Sequence, residues 1–152
     1  KKDALAYFRR LGEFLHKKIP RDKANIVLIE TLHHYAAATS RLVEMGLVDA
    51  VIFTEYDSGT LLDSRDLRDE KTRTYTCGGA YNGKCLETSL SCIGDVLNGK
   101  RPVSVVVDLV LDSPQDRASG LSPRGIEWPY NIPERQRREV NLQDVYRSLG
   151  VA

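Results

Sequence analysis

Hydrophobic residues recur at helical spacing in four segments of the chain, and we predict a helix in each. The segments lie within residues 1–20, 31–45, 84–99 and 141–150. Pro20, Gly46 and Gly99 supply the stops of the first three helices, because proline and glycine commonly end helices. Asn141 supplies an N-cap for the last helix, since its side chain can accept a backbone N–H bond.

Two further segments have the β-branched or continuous apolar character of strands. Residues 48–55, "VDAVIFTE", predict one strand, and residues 101–112, "RPVSVVVDLVLD", predict a buried central strand. Residues 24–30 could add a short strand. Residues 60–67 could return from the turn at 57–59 as the second strand of a hairpin.

The remaining segments are polar or interrupted by proline. Residues 68–83 and 113–125 are predicted as loops, and Pro129 and Pro133 limit any helix within residues 126–140. This order of elements predicts an α/β or α+β sandwich, a sheet covered by helices. A length of 152 residues predicts a single domain, 1–152.

The composition, 41% apolar and 28% charged with a formal charge of +1, is typical of a soluble globular protein. It gives no clear nucleic-acid signal, although Arg135, Arg137 and Arg138 could form a local basic patch. No apolar run approaches the ~20 residues of a membrane helix, and no secretory signal is visible. Because the chain begins with Lys1, we expect a trimmed chain or a fragment that lacks upstream segments.

The three cysteines, Cys77, Cys85 and Cys92, are few and odd in number. Without a secretory signal, such a count predicts free thiols in a reducing compartment, here the cytoplasm. The C-x-x-C pairs of a zinc ribbon are absent.

The segment "GKCLETSL" places Cys85 at or near a helix N-terminus, with Glu87 two residues later. The helix dipole and the free backbone N–H groups favour the thiolate there, and the thiolate is both a metal ligand and a nucleophile. Cys85 and Glu87 are therefore candidate catalytic residues. The simpler interpretation is a buried small residue followed by an acid that stabilises the helix dipole.

A second segment, "LSPRGIE" at residues 121–127, follows the buried strand and a short loop. Together with "CLE", it resembles the cytidine deaminase-like superfamily over residues 30–150. In nucleoside-type and blasticidin-type members, Cys-Ala-Glu opens one helix and Ser-Pro-Cys-Gly-x-Cys opens the next; the cysteines hold zinc and the glutamate shuttles protons. The resemblance implies a three-layer α/β/α sandwich with a mixed central sheet, to which residues 1–25 add a helical extension.

This chain departs from the family pattern at the zinc ligands. By the resemblance, Cys85 matches the first ligand and Glu87 the proton shuttle, but Arg124 and Glu127 stand where the other two cysteines would be. Arginine stays protonated, and a catalytic zinc needs three protein ligands. We therefore expect no cofactor, unless an atypical site holds zinc. We expect Arg124 and Glu127 to be ligand-binding residues, with Arg124 in a salt bridge among Glu127, Glu87 and the Cys85 thiolate.

The chain order His33 or His34, Asp57 and Cys85 resembles that of adenain-like cysteine proteases. Those proteases carry the histidine on a strand, whereas both histidines here fall within a predicted helix. The simpler interpretation is one packed and one solvated histidine.

Further candidates lie beside the second motif. Trp128 and Tyr130 could stack on a base, although packing of Trp128 into the core is the alternative. Asp108 and Asp112 share a strand face and could hold a metal; the simpler interpretation is that Asp112 caps the loop and Asp108 meets a buried partner.

Cys92, about 10 Å along the helix from Cys85, is too distant to share an ion with it. Cys77 could fold back toward the site.

Two classes of function follow. The first is a deaminase-like domain that has lost the usual zinc ligands and binds a nucleoside- or nucleotide-like ligand or a partner protein. The alternative is an active hydrolase, either an atypical deaminase or a cysteine-dependent hydrolase or deamidase that uses Cys85. The resemblance also implies homo-oligomers, and the N-terminal helix with Phe8 and Phe14 is either an assembly surface or part of the core. No membrane partner is expected.

Overall fold

The computed structural model describes residues 2–17, 19–20, 22–55, 58–63, 65–68, 72 and 74–151. The helices are α1 (Lys2–His16), α2 (Leu32–His34), α3 (Ser40–Glu44), α4 (Cys85–Leu97), α5 (Pro114–Ala118) and α6 (Leu142–Ser148). The strands are β1 (Val27–Thr31), β2 (Ala50–Thr54), β3 (Tyr75–Ala80), β4 (Val103–Leu111) and β5 (Arg137–Val140). A π-helical turn (Tyr35–Thr39) joins α2 to α3, and 3-10 turns cover Arg65–Leu67 and Glu134–Gln136. Within this described part, no helix is long and apolar enough to cross a membrane.

The strands form two small parallel sheets, so the chain has an α/β fold. β1 pairs with β2, from Val27 opposite Ala50 to Thr31 opposite Thr54. β4 is the central strand of the other sheet, between β3 and β5. The antiparallel pairing found among the described residues is one isolated bridge between Thr54 and Leu61. The mixed sheet that the resemblance implies is therefore not seen among them.

Two hydrophobic clusters share β4. The first packs α4 against β2 and β4, and its buried side chains include Ile52, Leu86, Leu90, Ile93, Leu97, Val103 and Val105. The second joins β4 to α6, with Leu11 and Phe14 of α1 packed against it. The predicted N-terminal extension therefore packs on β4. Phe14 belongs to this core, whereas Phe8 is 60% exposed.

The strongest sequence patterns predict the elements correctly. All four helical segments form helices, the second with a π-helical turn in its middle. The segments predicted as strands at 48–55 and 101–112 contain β2 and β4, and the short strand predicted at 24–30 matches β1 except for its last residue, Thr31. Asn141 caps α6 as predicted, because its side chain accepts a hydrogen bond from the Asp144 N–H at 2.9 Å.

Four segments differ from the prediction. β3 lies in a predicted loop, and β5 in a segment where only a short helix was considered; both strands pair with β4. The predicted returning strand at 60–67 is shorter than expected: Leu61 forms an antiparallel bridge with Thr54, and the Leu62 N–H donates to the Phe53 carbonyl at 2.9 Å. Among the described residues that follow in this segment, Arg65–Leu67 form a 3-10 turn. The predicted loop at 113–125 contains α5, which Ser113 caps by accepting a hydrogen bond from the Asp116 N–H at 3.2 Å.

Candidate functional site

The segments that follow β2, β3 and β4 meet at the start of α4. Ser89 of α4 donates a hydrogen bond of 2.7 Å to the carbonyl of Gly59, which follows β2 and lies against the Cys85 backbone. Asn82, between β3 and α4, donates a hydrogen bond of 3.0 Å to Asp112, which follows β4. The carboxyl ends of parallel strands are the common place for ligands in open α/β sheets.

The close approach of Gly59 to Cys85 gives a first prediction. A Cβ at Gly59 would overlap the Cys85 carbonyl oxygen, whereas a Cβ at Gly46 would meet nothing within 4 Å. Both glycines have positive φ, +83° and +70°. We expect Gly46→Ala to lower the free energy of unfolding by about 1 kcal/mol through backbone strain. Gly59→Ala should lower it by roughly 1 to 2 kcal/mol more through overlap. Urea unfolding measures both variants, and equal losses would contradict the close approach.

A buried pair of polar side chains holds the 122–127 turn in place. Asn82 is 1% exposed; its amide nitrogen donates to Asp112 and, at 2.8 Å, to the Gly125 carbonyl. Its amide oxygen accepts a hydrogen bond from the Glu127 N–H at 2.9 Å. The second carboxylate oxygen of Asp112 accepts from the Ser122 hydroxyl at 2.8 Å and from the Arg124 N–H at 3.0 Å. Asn82 and Asp112 thus fix the backbone on both sides of Gly125.

The carboxylate of Asp112 is stabilised by its hydrogen bonds. Burial raises the pKa of this carboxyl, but hydrogen bonds from Asn82, the Arg124 N–H and Ser122 bring the pKa below its ordinary value. Asp112 therefore stays ionised at neutral pH. The interpretation that Asp112 caps the loop is confirmed. Asp108 likewise meets a partner, the Leu142 N–H, at 2.8 Å.

Arg124 joins two carboxylates across the turn. Its Nη2 lies 2.7 Å from Glu127 Oε1, and its Nη1 lies 3.0 Å from Asp116 Oδ2. The predicted pairing with Glu127 is confirmed, while the second carboxylate is Asp116 of α5 and not Glu87. The hydrogen bond to Asp116 and the negative charge of that carboxylate raise the pKa of Arg124, so the guanidinium stays charged.

The ion-paired Arg124 and Glu127 pack against Gly83, two residues before Cys85. A Cβ on Gly83 would lie 3.2 Å from Glu127 Cγ and 3.9 Å from Arg124 Nη1. A larger residue would therefore crowd the Glu127 side chain. The second motif thus reaches the start of α4, where the resemblance places a metal centre.

A shallow cleft of about 550 Å³ runs along the first two turns of α4. Its lining includes Cys85, Glu87, Thr88 and Ser91 of α4, Ser58 from the loop after β2, and Tyr130. Tyr130 is 93% exposed. Three of the site residues predicted from the sequence therefore line the same cleft: Cys85, Glu87 and Tyr130.

The other predicted ligand-binding residues lie outside the lining of this cleft. Arg124 and Glu127 are engaged in their ion pair beside Gly83. Trp128 packs against the first hydrophobic cluster, with the Arg137 guanidinium 5.8 Å from its ring centroid. Trp128 therefore packs against the core, as the alternative interpretation of the sequence predicts.

The donor atoms at this site do not fit the zinc that the resemblance implies. Cys85 supplies one thiol, while Arg124 at a second ligand position is a charged guanidinium. No group of three metal-binding side chains occurs among the described residues. Cys77 lies on β3 and packs against the first cluster, where burial raises the pKa of its thiol to about 12.

The histidines occupy the helix predicted for them, but neither is packed. His33 and His34 are both exposed, which corrects the interpretation of one packed and one solvated. The Nδ1 of His34 lies 2.9 Å from the Glu30 carboxylate, at the end of β1. Asp57, the third residue of the protease-like order, lies outside the described residues.

Comparisons with family models, curated proteins and solved structures give no match for this chain. The resemblance to cytidine deaminases therefore rests on the two motifs, "CLE" and "LSPRGIE", and on their placement.

Proposed function

We propose that this chain is a deaminase-like domain without the usual zinc ligands, and that its cleft binds a nucleoside- or nucleotide-like ligand. The main support for the proposal is that Arg124 forms ion pairs beside the start of α4, where the family resemblance would place zinc-binding cysteine thiolates. In this proposal the guanidinium and its carboxylates stabilise the turn that zinc stabilises in the family. A three-layer sandwich with a mixed sheet, a cytoplasmic location and homo-oligomers belong to the same proposal.

The lining of the cleft supports a small polar ligand with a planar ring. The exposed Tyr130 ring could stack on a base, because every base has a π-face. Ser58, Thr88 and Ser91 supply hydroxyl groups, which donate and accept hydrogen bonds. Glu87 supplies a carboxylate that could accept hydrogen bonds from an amino group. A partner protein is the other occupant considered for this surface.

An active hydrolase is the second candidate, because Cys85 and Glu87 line the same cleft. Glu87 could accept the proton of the Cys85 thiol as the sulfur attacks a carbonyl or amidine carbon, and deliver that proton to the leaving amine. Water would then hydrolyse the intermediate and free the Cys85 thiol. Cys85→Ser and Glu87→Ala separate the candidates. In the hydrolase they abolish turnover while the fold persists, and in the binding domain there is no turnover to lose.

The second prediction tests ligand stacking on Tyr130. We expect Tyr130→Ala to weaken cytidine binding about tenfold, the effect of losing one base–aromatic contact. The free energy of unfolding should not change, because this ring is almost fully exposed. Phe8→Ala is the matched control, since Phe8 is another exposed aromatic residue and lies on α1. Isothermal titration calorimetry measures binding. Unchanged cytidine affinity in Tyr130→Ala would remove stacking from the proposal.

A further inference from the structure

We infer that Asn131 and Arg137 are positioning residues, which hold the Tyr130 ring at the cleft before a ligand arrives. The inference rests on the proposed function, in which this ring stacks on a base. Tyr130 is 93% exposed, so its own side chain gains little support from packing. The place of the ring is therefore set by the backbone around it and by the side chains that hold this backbone.

Tyr130 lies in a tight turn between the cleft and the core. The Ile132 N–H donates to the Pro129 carbonyl at 3.3 Å, so Tyr130 and Asn131 are the two central residues of a four-residue turn. Pro129 lines the cleft, and Ile132 is 2% exposed within the first hydrophobic cluster. The turn thus has one end at the cleft and the other end in the core.

The Arg137 guanidinium holds both ends of this turn. Its Nε donates to the Ile132 carbonyl at 2.8 Å, and its Nη2 donates to the Pro129 carbonyl at 3.1 Å. Because a guanidinium presents its donors in a rigid fork, it fixes the separation of the two carbonyls. Arg137 begins β5 and lies opposite Val103 of the central strand. The base of the turn is therefore tied to the sheet.

Asn131 ties the same turn to α4. Its amide nitrogen donates to the Ser91 carbonyl at 2.7 Å and to the Asp95 carboxylate at 2.8 Å. Ser91 also lines the cleft, so this bond fixes the turn against the wall that a ligand would contact. Gly94 permits the close approach, since a Cβ there would lie 3.0 Å from Asn131 Oδ1 and 2.9 Å from Ile132 Cγ1.

These four hydrogen bonds place an exposed ring where a ligand can use it. A side chain or loop that must be ordered on binding lowers the affinity of the complex, and preorganisation removes that cost. Neither Asn131 nor Arg137 lines the cleft. Both residues therefore act on the ligand through Tyr130.

The test is a double-mutant cycle on cytidine binding, measured by isothermal titration calorimetry. Asn131→Asp keeps the size of the side chain but replaces its donating nitrogen with an oxygen, which the Ser91 carbonyl and the Asp95 carboxylate repel. We expect this variant to weaken cytidine binding about fivefold when Tyr130 is present. It should have no effect in the Tyr130→Ala background. Arg137→Lys should behave in the same way, because one ammonium nitrogen cannot span the two carbonyls.

The matched control is Gln136→Ala, which should leave cytidine affinity unchanged. Gln136 donates to the Gly99 carbonyl at 3.0 Å, so it makes the same kind of bond, but beyond the last turn of α4 and away from the cleft. Hydrogen exchange of the Ile132 amide, measured by NMR without ligand, follows the turn itself. Protection of this amide should be lost in Asn131→Asp and retained in Gln136→Ala.

The outcomes separate this inference from the function on which it rests. Wild-type affinity in Asn131→Asp or Arg137→Lys would overturn the role of the residue replaced, while cytidine binding stands. An equal loss of affinity with and without Tyr130, or unchanged protection of the Ile132 amide in Asn131→Asp, would overturn positioning through the turn. Absence of cytidine binding by wild-type protein would overturn the proposed function, and the inference with it.

Discussion

Replacing Asp112 with alanine is expected to lower the free energy of unfolding by about 3 to 4 kcal/mol, the usual range for breaking a buried, hydrogen-bonded charge. Asp112 is 8% exposed and accepts hydrogen bonds from Asn82, Ser122 and the Arg124 N–H. Alanine leaves these three donors without their acceptor. The 122–127 turn would also lose its attachment to the end of β4. Equilibrium urea unfolding gives the measurement.

A matched control for this variant is Asp63→Ala. The Asp63 side chain is half-exposed and pairs with the exposed Arg65, so its loss should lower the free energy of unfolding far less than the loss of Asp112 does. Similar losses for the two variants would mean that the buried network does not stabilise the fold as its geometry indicates.

The change in the free energy of unfolding at acidic pH gives a second test of whether the Asp112 carboxylate is ionised and hydrogen-bonded. Its pKa is lower in the folded protein than in the unfolded chain, so its stabilising contribution is fully present above the unfolded pKa. The contribution is lost as pH falls through the folded pKa, below about pH 4. Between pH 5 and pH 3, wild type should therefore lose more free energy of unfolding than Asp112→Asn, which has no carboxyl group there. Parallel pH profiles would contradict an ionised, hydrogen-bonded Asp112.

Much of the fold could be predicted because it depends on local patterns. The apolar stripe of α4 and the continuous apolar sequence of β4 identify the buried helix and the central strand without reference to other segments. β3 and β5 could not be found in this way. β3 contains two glycines and β5 is mostly charged, so both owe their extended form to pairing with β4.

The candidate site was predictable in part for the same reason. Cys85 and Glu87 belong to one short motif at a helix start, and Arg124 and Glu127 stand at two ligand positions of the second motif in the resemblance. Asn82 joins this site through contacts 30 or more residues away in sequence, and Asp116 joins it through a contact with Arg124, eight residues later. Asn82 carries a weak local signal, an asparagine before glycine at a strand-to-helix turn. Because asparagine before glycine is also common in ordinary turns, this signal does not by itself identify a site residue.

The second large effect is expected from rebuilding the family's ligand set. In the double variant Arg124→Cys and Glu127→Cys, two thiols join Cys85 near Gly83, where the replaced side chains lie. A catalytic zinc usually has three protein ligands and a water, and in zinc deaminases the three ligands can all be cysteines. We expect this variant to bind one zinc per chain and to unfold at a higher temperature with zinc than with chelator, because metal binding stabilises the folded state.

The matched control is the double variant Arg124→Ser and Glu127→Ser. It removes the same ion pair and adds side chains of similar size, but it supplies hydroxyl groups that bind zinc poorly. We expect the serine variant to show no zinc-dependent rise in unfolding temperature. A similar zinc-dependent rise in both variants would mean that zinc binds without the two new thiols, and it would contradict the rebuilt site.

The zinc content of purified protein, measured by mass spectrometry without added zinc or chelator, decides whether Arg124 has replaced the metal. We predict far less than one zinc per chain in wild type and in the serine variant, and about one per chain in the cysteine variant, whose three thiolates complete the site. About one zinc per wild-type chain would contradict the central claim that Arg124 and its carboxylates stand in place of the metal.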